Sequence, residues 1–166
     1  SQDRPHIAYQ NFSKTTLLYA YYNGTSWHLE TADTNSYLQL SLAVNDENRP
    51  LISAFNHNTF DLNLAERGAT GWNVTPLSEP KQSGYHTSLA LDAAGNPWVS
   101  YFNVTDSQLI LAKRISGVWE FETIDSGSSF RFTSLELDSL GRPHVSYQDY
   151  TRGNIKYAYF DGSSWQ

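Results

Sequence analysis

Four residues at one repeated spacing are the first candidates for chemistry. Asn11, Asn56, Asn103 and Asp149 each stand six positions after a proline, at Pro5, Pro50, Pro97 and Pro143. Each opens a polar segment of changing composition: Asn11 to Thr15, Asn56 to Phe60, Asn103 to Ser107 and Asp149 to Gly153. An Asn or Asp at the head of a loop has two uses. Its side chain bonds its own backbone two residues on and shapes the turn, or its oxygens and amide meet a ligand. In the second use the four repeat one contact to a sugar hydroxyl, helped by His57, Tyr150 and Arg152, with Phe12 and Phe60 as rings to stack on. Several weak sites of this kind gain by avidity. Residue type favours the turn-shaping use. His86 falls at the same end of the repeat and joins the ligand-binding candidates, whereas His6 and His144 follow their prolines and read as equivalent structural positions.

Other chemistry finds little support. Asn11, Asn23, Asn73 and Asn103 head N-x-S/T sequons and are glycosylation candidates, Asn11 and Asn103 the better two because they lie in loops. Cysteine is absent, which removes thiolate catalysis and thiolate metal sites. No G-x-S-x-G turn marks a nucleophile. A glycosidase needs two facing carboxylates, and Glu66, Glu120 and Glu122 occupy ordinary strand positions that read as solvated faces. A calcium loop needs several oxygens close together, and each turn here offers one or two. The expectation is therefore no enzyme, no metal and no cofactor. A net charge of −6 disfavours binding to nucleic acid, which needs a basic surface. No apolar run approaches the roughly 20 residues of a membrane span.

These residues are positioned by a repeat. The four prolines are 45, 47 and 46 residues apart, and each is followed after 22 positions by a tryptophan, at Trp27, Trp72, Trp119 and Trp165. Ser41, Ser88 and Ser134 each precede their proline by 9. A period in the mid-forties made of short alternating runs is the signature of a propeller blade. Each copy reads as four strands. The first covers Tyr37 to Val44, Tyr85 to Leu91 and Phe130 to Leu137; the second starts at the proline; the third carries Leu17, Leu62, Leu109 or Ile155, with an alanine, Ala20, Ala65, Ala112 or Ala158, between it and the next turn; the fourth starts at the tryptophan. Turns rich in Asp, Asn and Gly separate them. The up-and-down order collects the tight turns at one end and the variable segments at the other, and the binding face is expected at the second.

The expected fold is an all-β propeller over 1–166, in repeats of 1–36, 37–83, 84–129 and 130–166. The first copy starts inside its turn, so its first strand is expected to be lacking. An edge left open in this way invites three answers: a ring closed on three strands in one blade, two chains in a ring of about eight blades, or a strand donated by a neighbour.

The motif SL-x-L-D-x-x-G-x-P-x-V-S-Y, followed by an L-x-x-A strand and G-x-x-W, resembles a tandem-repeat family of secreted and surface proteins of bacteria and archaea. The resemblance covers the whole chain and implies a β-propeller in a secreted or cell-surface protein. It implies no single activity, because such propellers serve as lectin-like, adhesive and scaffold modules. Asn45 departs from the motif, where Asp92 and Asp138 stand in other copies. The Asp-box of sialidase propellers is a looser likeness and fails, since glycine and tryptophan belong here to a different hairpin from the aspartate. The leading expectation is a non-catalytic structural or protein-interaction module that self-assembles through an incomplete blade. The alternative is a lectin-like carbohydrate binder using the loops between second and third strands.

Overall fold

A computed structural model describes residues 4–77 and 83–166. The opening residues 1–3, where the first copy was expected to begin, and the interblade segment 78–82 lie outside the described part. From each proline onward, large apolar side chains alternate with small or polar ones, and this period of two builds strands with two distinct faces. Four antiparallel sheets result. The first contains β1 (His6–Asn11), β2 (Thr16–Tyr22) and β3 (Trp27–Asp33). The second contains β4 (Tyr37–Val44), β5 (Pro50–Asn56), β6 (Asp61–Arg67) and β7 (Trp72–Pro76). The third contains β8 (Ser83–Leu91), β9 (Pro97–Asn103), β10 (Gln108–Ile115) and β11 (Val118–Ser126). The fourth contains β12 (Phe130–Leu137), β13 (Pro143–Asp149) and β14 (Asn154–Tyr159). Every sheet is ordered as its strands follow in the chain. Among the described residues there is no helix, and so none long and apolar enough to cross a membrane.

The last repeat departs from expectation. Its fourth strand is reduced to a single bridge between Phe160 and Trp165. A first strand of the first copy would precede His6 and lie outside the strands described.

The turns follow from their acidic or amide residue. Asp92 Oδ1 accepts from Ala94 N and Asn96 N, and Asp138 Oδ1 accepts from Leu140 N and Arg142 N. Asn45, the departure from the motif, does the same through Glu47 N and Arg49 N. An oxygen acceptor is what the turn requires, and the amide supplies one.

Consecutive sheets pack face to face, and each junction has its own apolar core. Leu17 and Tyr19 of the first sheet meet Ile52 and Ala65 of the second. Leu62 and Leu64 of the second meet Val99 and Ala112 of the third. Leu109 and Leu111 of the third meet Val145 and Ala158 of the fourth. The small alanine at one position of every junction allows the sheets this close approach. The sheets form an open row, not a closed ring. The outer faces show it: Ile155, which matches the fully buried Leu17, Leu62 and Leu109, is 77% exposed.

The first strands β4, β8 and β12 stand side by side along the inner edge of the row. The repeat serines stitch them together. Ser41 Oγ accepts from Leu89 N at 2.9 Å, and Ser88 Oγ accepts from Leu135 N at 3.0 Å. Ser134 holds the same position in the first strand of the last sheet and is exposed. Removing an acceptor from a part-buried amide leaves it unsatisfied, at about 1–3 kcal/mol. Ser41→Ala and Ser88→Ala should each lower stability by that amount in urea unfolding, while Ser134→Ala should change it by less than about 0.5 kcal/mol.

Candidate functional site

Three regions of the surface bring together groups able to hold a ligand. At the loop end, the four residues six after each proline turn inward on their own loops. Asn11 Oδ1 accepts from Ser13 Oγ and Lys14 N. Asn56 Oδ1 accepts from Asn58 N and Thr59 N. Asn103 Oδ1 accepts from Asp106 N, and its Nδ2 donates to Asp106. Asp149 is bonded by the Ser128 hydroxyl, by Arg152 N and by the Arg152 guanidinium at 2.8 Å. Ser128 first and Arg152 second hold the Asp149 carboxyl down at about 2. Asn56, Asn103 and Asp149 are buried.

Around these loops stand the other sequence candidates. His57 is exposed and 5.9 Å from the Phe60 ring. Tyr150 is exposed, with the Arg131 guanidinium 3.4 Å over its ring. Of the sequon residues, Asn23 caps its hairpin through Thr25 N and Ser26 N, and Asn73 is exposed on β7.

The second region lies along the inner edge. Each first strand carries a bulge, and at each bulge a non-glycine residue adopts a left-handed conformation: Gln39 (φ 54°), His86 (φ 57°) and Phe132 (φ 52°). These are one repeat position in three sheets. They line a groove of about 310 Å³ with Leu40, Thr87 and Thr133. His86 was a sequence candidate; Gln39 and Phe132 were not.

The third region was not expected. At the turn end, a cleft opens at every junction between sheets. The first, of about 240 Å³, is lined by Arg4, His6, Tyr19 and Tyr21 of one sheet and Asn48 and Arg67 of the next. Its aromatic wall is a ladder. His6 is hydrogen-bonded to Tyr19, whose ring is 5.7 Å from Tyr21, and His28 stacks on Tyr21 at 5.2 Å. Burial lowers the His6 pKa, so its imidazole is neutral at neutral pH. Burial also pushes the Tyr19 phenol up to about 12.

Arg67 is fixed by Glu30, with Nε and Nη2 donating to its two oxygens at 2.7 and 2.9 Å. Trp72 Nε1 donates to the same carboxylate at 2.9 Å. The Arg67 contact first, with Trp72 assisting against burial, holds the Glu30 carboxyl below its usual range. The equivalent arginine in the next sheet, Arg114, forks onto Glu66 at 2.7 and 2.8 Å, so that pair spans the second cleft. Glu66, expected on a solvated face, is an interblade clamp. In the third cleft Lys113 lies 5.6 Å over the Trp98 ring. In the second cleft the clamp carboxylate Glu66 comes from a third strand, whereas Glu30 comes from a fourth strand, so that Tyr21, at the repeat position of Glu66, lies against the rings of Tyr19 and His28.

No protein-family model and no curated protein sequence matches the chain. Solved structures do. A fucose lectin from Kordia zhangzhouensis in complex with methyl-fucoside is similar over 76% of this chain and 95% of its own, at 16% identity and a TM-score of 0.55. An exo-beta-1,3-galactanase from Phanerochaete chrysosporium with beta-1,3-galactotriose covers 100% of this chain at 9% identity and a TM-score of 0.66. An endo-1,4-beta-xylanase from Bacteroides thetaiotaomicron covers 99% at 12% identity and 0.61. This chain spans 47% of the galactanase and 68% of the xylanase. The fold is propeller-like.

One expectation is corrected by these likenesses. The leading sequence reading was a structural module that self-assembles through an incomplete blade. Among the solved structures that share the fold are a fucose lectin and glycoside hydrolases, and they fit the carbohydrate-binding alternative better than that module. Among the described residues no group of three or more His, Asp or Glu side chains is placed to hold a metal ion.

Proposed function

We propose that this chain is a lectin-like carbohydrate-binding propeller module of a secreted or surface protein, and that the cleft between its first two sheets receives a sugar. One observation carries the reading. An aromatic ladder faces a guanidinium that Glu30 has already oriented, across a space the size of a small ring. A pyranose has an apolar C–H face and a rim of hydroxyls. Tyr21 suits the first; Arg4, Asn48 and Arg67 suit the second. The likeness to a lectin bound to methyl-fucoside supports the ligand class. Binding without hydrolysis is part of the proposal. The lining of this cleft contains no carboxylate, and glycoside cleavage needs a facing pair.

Calorimetric titration with a panel of methyl glycosides that includes methyl-fucoside tests this. At least one should bind, and Tyr21→Ala should weaken it by about tenfold or more. Tyr159→Ala is the control. Tyr159 occupies the same repeat position and stacks on His144 at 5.8 Å, in the fourth sheet and away from the first cleft. It should leave affinity unchanged. Absence of binding by every glycoside at millimolar concentration, or equal losses in the two variants, would refute the assignment.

A further inference from the structure

The inner groove is a second place where chemistry gathers, and its backbone is unusual. Left-handed φ at residues other than Gly or Asn is costly, and such strain persists where side-chain placement is constrained. Here the cost recurs three times at one repeat position, and three unlike side chains occupy it: an amide, an imidazole and a phenyl ring. A bulge re-aims the side chain it carries. Glycine or asparagine takes this conformation in the turns at Asn48, Gly95 and Gly141, whereas Thr15, Phe60 and Ser107 take it in the loops, so the conformation gains weight here from the groove that the three bulges line together.

The three bulges are also coupled. Gln39 Oε1 accepts from His86 N at 2.6 Å, and Thr133 Oγ1 donates to His86 O at 2.6 Å. The Phe132 ring meets His86 edge-on at 4.8 Å and is 68% exposed. With its oxygen committed, Gln39 presents an N–H donor. Burial first and Arg131 second lower the His86 pKa, so the ring is neutral. Thr87 and Thr133 complete the lining, and no carboxylate or lysine belongs to it.

We infer that this groove is a separate subsite for an extended, neutral glycan chain, whose successive units lie across Gln39, His86 and Phe132. The ligand class rests on the carbohydrate reading above; the place does not. Neutral donors and acceptors beside an exposed aromatic ring match a sugar better than an ion. The net charge of −6 disfavours an acidic polysaccharide. One position repeated along neighbouring sheets offers contacts at intervals, as a ligand built of successive units requires.

The test titrates the whole chain with xylo-, cello- and β-1,3-galacto-oligosaccharides from one to six units. Affinity should rise from the disaccharide to the tetrasaccharide for one series. Phe132→Ala should then reduce binding of the tetrasaccharide by about tenfold, with an unchanged near-ultraviolet spectrum and unchanged binding of the methyl glycoside that occupies the first cleft. Tyr21→Ala should leave the tetrasaccharide affinity within about twofold. Affinity that is independent of chain length, tetrasaccharide binding insensitive to Phe132→Ala, or no oligosaccharide binding at all overturns the subsite. Loss of methyl glycoside binding alone overturns the cleft and leaves the groove standing.

Discussion

Gly84→Ala should destabilise the protein by about 3–5 kcal/mol. Gly84 sits in β8, where the register with β9 shifts, at φ +110°. A side chain there meets two penalties. The backbone region is one that residues with a Cβ rarely adopt, which alone costs about 1–3 kcal/mol. The added Cβ would also lie 2.5 Å from Leu62 Cβ and 2.8 Å from Leu62 Cα. Leu62 is fully buried in β6, so the neighbour is a strand and not the end of a mobile side chain. The third sheet can make room only by moving away from the second and opening the core around Leu62, Leu64 and Val99. Gly71→Ala and Gly162→Ala separate the two penalties. Both have positive φ, but nothing stands within 4 Å of the added methyl. They should cost about 1 kcal/mol each. A urea midpoint for Gly84→Ala equal to that of either control would remove the argument for close packing at this point.

Local chemistry was legible in the sequence, and chemistry between sheets was not. The turns at Asp92 and Asp138 could be read because an acceptor two to four residues before an amide is a local signal. Even the exception, Asn45, keeps the role. The serines Ser41 and Ser88 stood out by spacing, yet their partners Leu89 and Leu135 lie one whole repeat away, so spacing alone could not assign the bond. Arg67 and Arg114 share a position but reach Glu30 and Glu66, which do not. No repeat-by-repeat comparison pairs them. The inner bulges were hidden for another reason. Positive φ is normally announced by Gly or Asn, and Gln39, His86 and Phe132 announce nothing. The loop-heading Asn and Asp residues were found readily and turned out to face their own loops in every copy.

The repeat also makes one residue position an internal gauge of burial. Leu109→Ala should cost about 2–5 kcal/mol, while Ile155→Ala should cost under about 1 kcal/mol. Both residues stand twelve positions after their proline and face the same way out of their sheets. Leu109 is fully buried against Phe130, Leu135 and Val145 of the following sheet, so truncation removes methyl groups and leaves a cavity. Ile155 is 77% exposed, and its side chain loses little but contact with water. Denaturant titration of the two variants at several protein concentrations reads the difference directly. A large cost at Ile155 would mean that the outer face of the fourth sheet is covered in solution, because an exposed isoleucine has no cavity to leave.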